Sequence, residues 1–305
     1  MDVFSFILIV AGLTLFEIVG GLDNAVINAQ VLATMSMRAR RWFLRYGLLI
    51  AVFLIRGFLP FLIVWIINPA LGPIGALTAA SSADPRVRDA VEASSSILLV
   101  GGGTFLIFLF FHWLFLEPKH FGLWGERFMQ SQGVWFYAVV SVLLAGIIWF
   151  ALQIHPVIAF GAAVGSTAFF ITHGFKENAE QAEKDLLSEK VRSDLSKLFY
   201  LEVIDAIFSI DSVLGAFAFT LSVPLILLGN GIGAVIVRKV TMESIEKIKQ
   251  YKYLNNAAMY SVFFLGSVML SDGFGFKIPQ WTTPLVTIIL VTYFFQKSKT
   301  SLKVV

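Results

Sequence analysis

Cysteine is absent from all 305 residues, which excludes disulfides and thiolate metal ligation. Charge is scarce. Only 14% of the residues are Asp, Glu, Lys or Arg, against about 25% in ordinary globular domains. The net charge of +3 is small, and its basic residues report membrane topology, so no nucleic-acid partner is expected. The opening segment MDVFSFILIV lacks a basic n-region and a small-residue cleavage pattern. It reads as a first membrane span and not as a removable signal peptide. No lipidation signature is present.

What fills the chain instead is apolar. Hydrophobic residues make up 57%, thirty of them phenylalanine, and the mean hydropathy is +0.81. The fold class is therefore all-α, a polytopic bundle of membrane helices in contact with lipid, because helices satisfy their own backbone groups in a bilayer. Spans of about 20 apolar residues are expected at 3–33, 42–67, 95–116, 133–152, 155–172, 198–221, 224–241, 254–271 and 281–296. Pro156 and Pro224 mark tight turns between closely spaced spans.

Lys and Arg set the orientation. With the N-terminus outside, nineteen basic residues fall in inner loops and the tail. Arg86, Arg88 and Lys277 fall outside, and Arg56 lies within a span. That asymmetry predicts an outer N-terminus, a cytoplasmic C-terminus and an odd number of spans. The natural setting is an integral protein of a bacterial inner membrane. The longest inner loop, 173–197, mixes both charge signs with helix formers and reads as a solvated cytoplasmic helix.

Within the apolar runs sits a repeat. EIVGGLDNAV at 17–26 aligns with DAIFSIDSVL at 205–214. Glu17 meets Asp205, Asp23 meets Asp211, and Asn24 meets Ser212. The echo continues with Gly47 and Arg56 in one copy against Gly229 and Arg238 in the other. The first copy enters the membrane from outside and the second from inside. This pattern predicts two inverted three-helix units, 1–116 and 198–271, the usual architecture of secondary transporters. Residues 117–197 are then inserted helices plus the cytoplasmic loop, and 272–305 a final helix and tail.

On a helix, Glu17, Gly21, Asn24 and Asn28 share one face, as do Asp205, Ser209, Ser212 and Ala216. These small, polar faces are expected to meet. Asp23 and Asp211 lie about 100° round the helix and join the site if the chain is broken at Gly20 and Gly21. Glu17, Asp23, Glu202, Asp205 and Asp211 face only Arg56 and Arg238 as counter-charges within spans. Each intramembrane carboxylate costs about 2.5–3.5 kcal/mol, so five cost on the order of 12–17 kcal/mol if left unpaired. The excess calls for protonation or a bound cation. The expected metal ligands are Glu17, Asp23, Asn24, Asp205, Asp211 and Ser212. Glu202, Asn28, Arg56, Arg238, Gly20 and Gly21 support them. An all-oxygen set suits a hard divalent ion such as Mn2+, Ca2+ or Mg2+. His112, His155 and His173 read as interfacial residues. The glycine runs at 101–103 and 229–233 read as close-packing surfaces.

The two motifs, EIVGGLDNA and DAIFSIDSV, resemble the paired signature of the TerC family of integral membrane proteins, within the LysE-like transporter superfamily. The match rests on Glu17, Asp23 and Asn24, then Asp205, Asp211 and Ser212. The resemblance covers both three-span units, and the fourth and fifth spans depart from a compact seven-span plan. It implies membership in a family named for tellurium resistance and implicated in manganese efflux and in supplying metal to exported enzymes.

The function expected is export of a divalent cation, Mn2+ first and Ca2+ second, with proton coupling through Asp or Glu. The metal is cargo; no organic cofactor and no enzyme activity are expected. Two other readings stay open: a cationic amino-acid exporter, and an intramembrane aspartyl protease using Asp23 and Asp211 as a dyad.

Overall fold

The computed structural model describes residues 2–47, 50, 58, 62, 65–66, 69, 72–78, 85–119, 122–188 and 193–302. At 22–24, 26–27, 30, 44, 76–78, 85–94, 179–188, 208 and 240–249 it describes the backbone alone. The helices are α1 (Val3–Gly20), α2 (Leu22–Ala33), α3 (Met37–Trp42), α4 (Gly72–Thr78), α5 (Pro85–Leu116) and α6 (Glu126–Ser131). They continue as α7 (Phe136–Ile154), α8 (Pro156–Ser188), α9 (Asp194–Ala216), α10 (Val223–Lys249), α11 (Leu254–Gly273) and α12 (Thr282–Leu302).

Local chemistry explains where these helices start and stop. The Asp2 carboxylate caps α1 by accepting from the Ser5 N–H at 2.6 Å. Ser36 and Ser193 cap α3 and α9 through their hydroxyl oxygens. His155 is extended, with φ −162° and ψ 134°, and Pro156 opens the next helix. The short turn QIHP thus separates two spans.

Five stretches are long and apolar enough to cross a membrane: Val3–Gly20, Ser95–Leu116, Gly133–Ile154, Pro156–Asn178 and Leu254–Gly273. The protein is an all-α integral membrane protein in contact with lipid. Tyr137, Val142, Trp149 and Leu152 of α7 are exposed, an apolar surface that suits acyl chains. The expected span 3–33 is α1 and α2 together, and the other expected spans fall on α5 and α7–α12. Span 42–67, with Arg56, lies largely outside the described residues.

The long inner loop is helical over residues 173–188, as the continuation of α8, which runs unbroken from Pro156 to Ser188. Nothing between His173 and Ser188 breaks a helix: Gly174 is the lone glycine, and proline is absent.

Glycines bring the helices together. A Cβ added at Gly103 would meet the Gly266 carbonyl oxygen at 2.9 Å, one at Gly102 the Met269 Cε at 2.5 Å, and one at Gly273 the Val100 Cγ2 at 2.6 Å. Contact positions rise on α5 as they fall on α11, so these helices are antiparallel. Gly161 packs against Ile97, Gly165 against Gly101, and Phe169 against Phe105. Here both numbers rise, so α8 runs parallel to α5. A core of Phe105, Phe108, Phe136, Phe169, Leu106 and Leu265 fills the space around α5.

Candidate functional site

Four helices, α1, α2, α9 and α10, position the residues that the repeat singled out. Along α1 and α10, Leu13 lies by Gly229, Glu17 by Gly233 and Gly21 by Val237. The Thr14 hydroxyl donates to the Gly229 carbonyl at 3.1 Å. These two helices are therefore parallel, and the small-xxx-small pair Gly229 and Gly233 lets the backbones approach. Against α9 the order reverses. Phe16 packs on Gly215, Asn28 bonds Asp205, Lys197 bonds Thr34, and Ser36 bonds Asp194. This antiparallel register carries Asp211 to the level of Gly21.

Among the described residues the two polar faces meet at Asn28 and Asp205. The Asn28 amide donates to Asp205 Oδ1 at 3.0 Å across the α2–α9 seam. Asp205 Oδ2 lies 3.8 Å from Arg238 Nη2. The Ser209 hydroxyl donates to the Asp205 carbonyl at 2.5 Å. The guanidinium of Arg238 in turn sits 4.2 Å over the Phe43 ring and borders Gly47. Glu17, Asn28, Asp205, Ser209 and Ser212 are all buried. Glu17 is walled by Gly233, whose missing Cβ would sit 2.6 Å from the Glu17 Cβ.

Glu202 presses on Gly47, and its two oxygens are buried with no hydrogen-bond partner among the described residues. Asp211 stands apart from Asp205: its Oδ2 bonds the Lys176 ammonium of α8. The charge count read from the spans therefore missed a cation, because Lys176 was assigned to a loop. The side chains of Asp23 and Asn24, and all of Arg56, lie outside the described residues.

The helix break falls where the glycines put it but is shallower than the expected unwinding. Gly21 separates α1 from α2 yet keeps right-handed angles, φ −83° and ψ −6°. Its N–H bonds the Glu17 carbonyl at 2.9 Å, and its own carbonyl accepts from the Ala25 N–H at 3.0 Å. The helical ladder thus passes through the glycine. A Cβ at Gly20 would meet nothing within 4 Å among the described residues.

Other polar groups have surroundings that the sequence does not show. Asn230, next to Gly229, is fully buried with neither amide atom hydrogen-bonded among the described residues. The His112 and His173 rings lie 3.7 Å apart between α5 and α8, with Phe169 stacked on His173. Their shared face follows from the parallel α5–α8 seam, which no spacing within either segment reveals. Glu126, on a six-residue helix, is buried and accepts from Asn256 and Tyr260 of α11.

No group of three or more His, Asp or Glu residues arranged to hold a metal ion occurs among the described residues.

Past Asn28 the α2–α9 seam turns apolar. Val31, Leu32, Met35, Phe43 and Leu201 form a buried cluster. Beyond it, Ser36 donates to Asp194 at 2.5 Å and Lys197 to the Thr34 hydroxyl at 2.9 Å.

No curated protein and no solved structure matches the chain. The resemblance to TerC holds at the level of the clan. A family described as "Protein of unknown function (DUF475)" matches residues 22–303, and the chain belongs to that family, within the broader TerC-like and LysE-like clan of polytopic membrane proteins.

Proposed function

We propose that this protein is a carrier that exports a divalent cation, Mn2+ first and Ca2+ second, across a bacterial plasma membrane. Its site lies between two inverted three-helix units, 1–116 and 198–271, in a nine-span chain with the N-terminus outside. Glu17, Asp23, Asn24, Asp205, Asp211 and Ser212 are the proposed oxygen donors, and protonation of a carboxylate drives release.

One observation carries this reading: the contacts come in mirrored pairs. The repeat equates Glu17 with Asp205, hence Thr14 with Glu202, and equates Gly229 with Gly47. Thr14 contacts Gly229, and Glu202 contacts Gly47. Asn28 reaches Asp205, and the mirrored pair, Ala216 with Glu17, lies one residue from the observed Gly215–Phe16 contact. The third helices, α5 and α11, cross glycine to glycine in opposite directions. A two-fold axis in the membrane plane produces this pattern, and transporter sites lie on such axes.

Electrostatics supports the same reading. Glu202 is buried without a hydrogen-bond partner among the described residues, an arrangement that is costly unless a proton or cation is supplied. The apolar cluster and the Ser36–Asp194 bond lie in the α2–α9 seam on what the basic residues make the cytoplasmic side, where a carrier of this kind needs a gate.

A cationic amino acid is the second reading, and Lys176 favours it, since Asp211 already holds an alkylammonium.

The test is Mn2+ flux in vesicles for wild type, Asp23→Asn, Asp205→Asn and Asp211→Asn. The carrier reading expects flux in wild type and at least a tenfold loss in each variant. Equal rates in all four, or lysine flux without Mn2+ flux, would remove the metal reading.

A further inference from the structure

We propose that Lys176 is a tethered competitor for the transported cation. Its ammonium holds the Asp211 carboxylate while that position is empty, and the arriving ion displaces it. The inference rests on the carrier reading and assigns a task to the inserted helices.

Four observations lead there. Lys176 lies in the last turn of the apolar stretch Pro156–Asn178, and it is buried. Its ammonium bonds Asp211 Oδ2 across the α8–α9 contact. The other oxygen, Asp211 Oδ1, is buried and has no hydrogen-bond partner among the described residues. A buried ion pair serving only to dock two helices is stable when the remaining lone pairs are satisfied too; here no described residue satisfies the second oxygen. Finally, the register puts Asp211 level with Gly21, between Glu17 and Asp205 along the α1–α2 rod.

The two described cations near the site differ in kind. Arg238 is pinned over Phe43 and against Gly47. Lysine is a compact charge on a flexible four-carbon stem, and its ammonium swings away without moving the helix. With Lys176 in place, the Asp211 charge is cancelled. A monovalent ion offers no more charge than the ammonium it must displace. A divalent ion at the same distance doubles the Coulomb attraction. Lys176 thus sets a threshold that divalent ions cross and Na+ or K+ do not.

The experiment is equilibrium binding of Mn2+ to the purified full chain in nanodiscs, read from the free-ion electron paramagnetic resonance signal. Lys176→Gln removes the competitor, so Mn2+ binds about tenfold tighter, and Na+ now competes. Lys176→Arg strengthens it, because a guanidinium grips a carboxylate with two parallel bonds, so Mn2+ binds several-fold weaker. A docking role lowers thermal stability without moving affinity in opposite directions. Wild-type binding with unchanged affinity in the variants overturns this inference and leaves the carrier reading standing. No Mn2+ binding in any of the three proteins overturns both. Should Lys176→Gln fail to fold, the loss of affinity in Lys176→Arg decides alone.

Discussion

Gly233→Ala tests the contact that holds α10 against Glu17. A Cβ at position 233 would sit 2.6 Å from the Glu17 Cβ, 2.7 Å from its Cγ and 2.8 Å from the Thr14 carbonyl oxygen. Ordinary contact starts at 3.4 Å, so the methyl is short of room by about 0.8 Å, a gap that forfeits much of a dispersion well when opened. The Cβ and a backbone oxygen cannot rotate away, so the helices must separate. Overpacking of this kind costs about 1–3 kcal/mol, and close packing is what holds helices together in lipid. The melting midpoint of the detergent-solubilised chain should fall by about 2–6 °C. Gly20→Ala is the control. Its Cβ meets nothing within 4 Å, and alanine gains up to about 1 kcal/mol of helix propensity, so its midpoint should hold or rise. Equal midpoints for Gly233→Ala and wild type, or equal losses for both variants, would refute the packing argument.

Two further outcomes follow from groups outside the repeat. Glu126→Gln turns a carboxylate that accepts from Asn256 Nδ2 and the Tyr260 hydroxyl into an amide that presents a donor to a donor; a loss of about 2 kcal/mol is expected by thermal scanning, and an unchanged midpoint would dismiss the clamp. Burial pushes the Lys119 ammonium down to about 8 from its usual 10.5, against the opposing pull of Glu117 and Glu126. The folded state therefore disfavours the charged form, so stability is lowest below pH 8 and rises with pH until the unfolded amine titrates near 10.5. The wild-type midpoint should gain on that of Lys119→Met between pH 7.5 and 10; a constant difference would contradict this.

Apolar run length made most of the helices legible, and glycine spacing revealed the seams. Gly101–Gly103, Gly229 and Gly233 all lie where another helix comes closest. The proposed repeat rests on the register of polar residues in the sequence. Pairings between helices could not. Lys176 and Asp211 are 35 residues apart, and the lysine stem spans a distance that hydropathy ignores. The same blindness hid Glu126, which lies in a segment between spans yet is buried against α11. The depth of the break at Gly21 was also illegible. Glycine permits unwinding, but neighbouring helices decide whether the ladder is kept, and here it is.

The three consecutive glycines of α5 each face a different neighbour. Successive residues of a helix point about 100° apart, so Gly101, Gly102 and Gly103 look in three directions. They meet the backbone of α8, Met269 with Leu214, and the backbone of α11. Position 101 is small because α8 lies against it: a Cβ there would sit 2.9 Å from the Gly161 carbonyl oxygen. Any larger side chain at 101 would part α5 from α8, so this one position sets how closely the two helices dock.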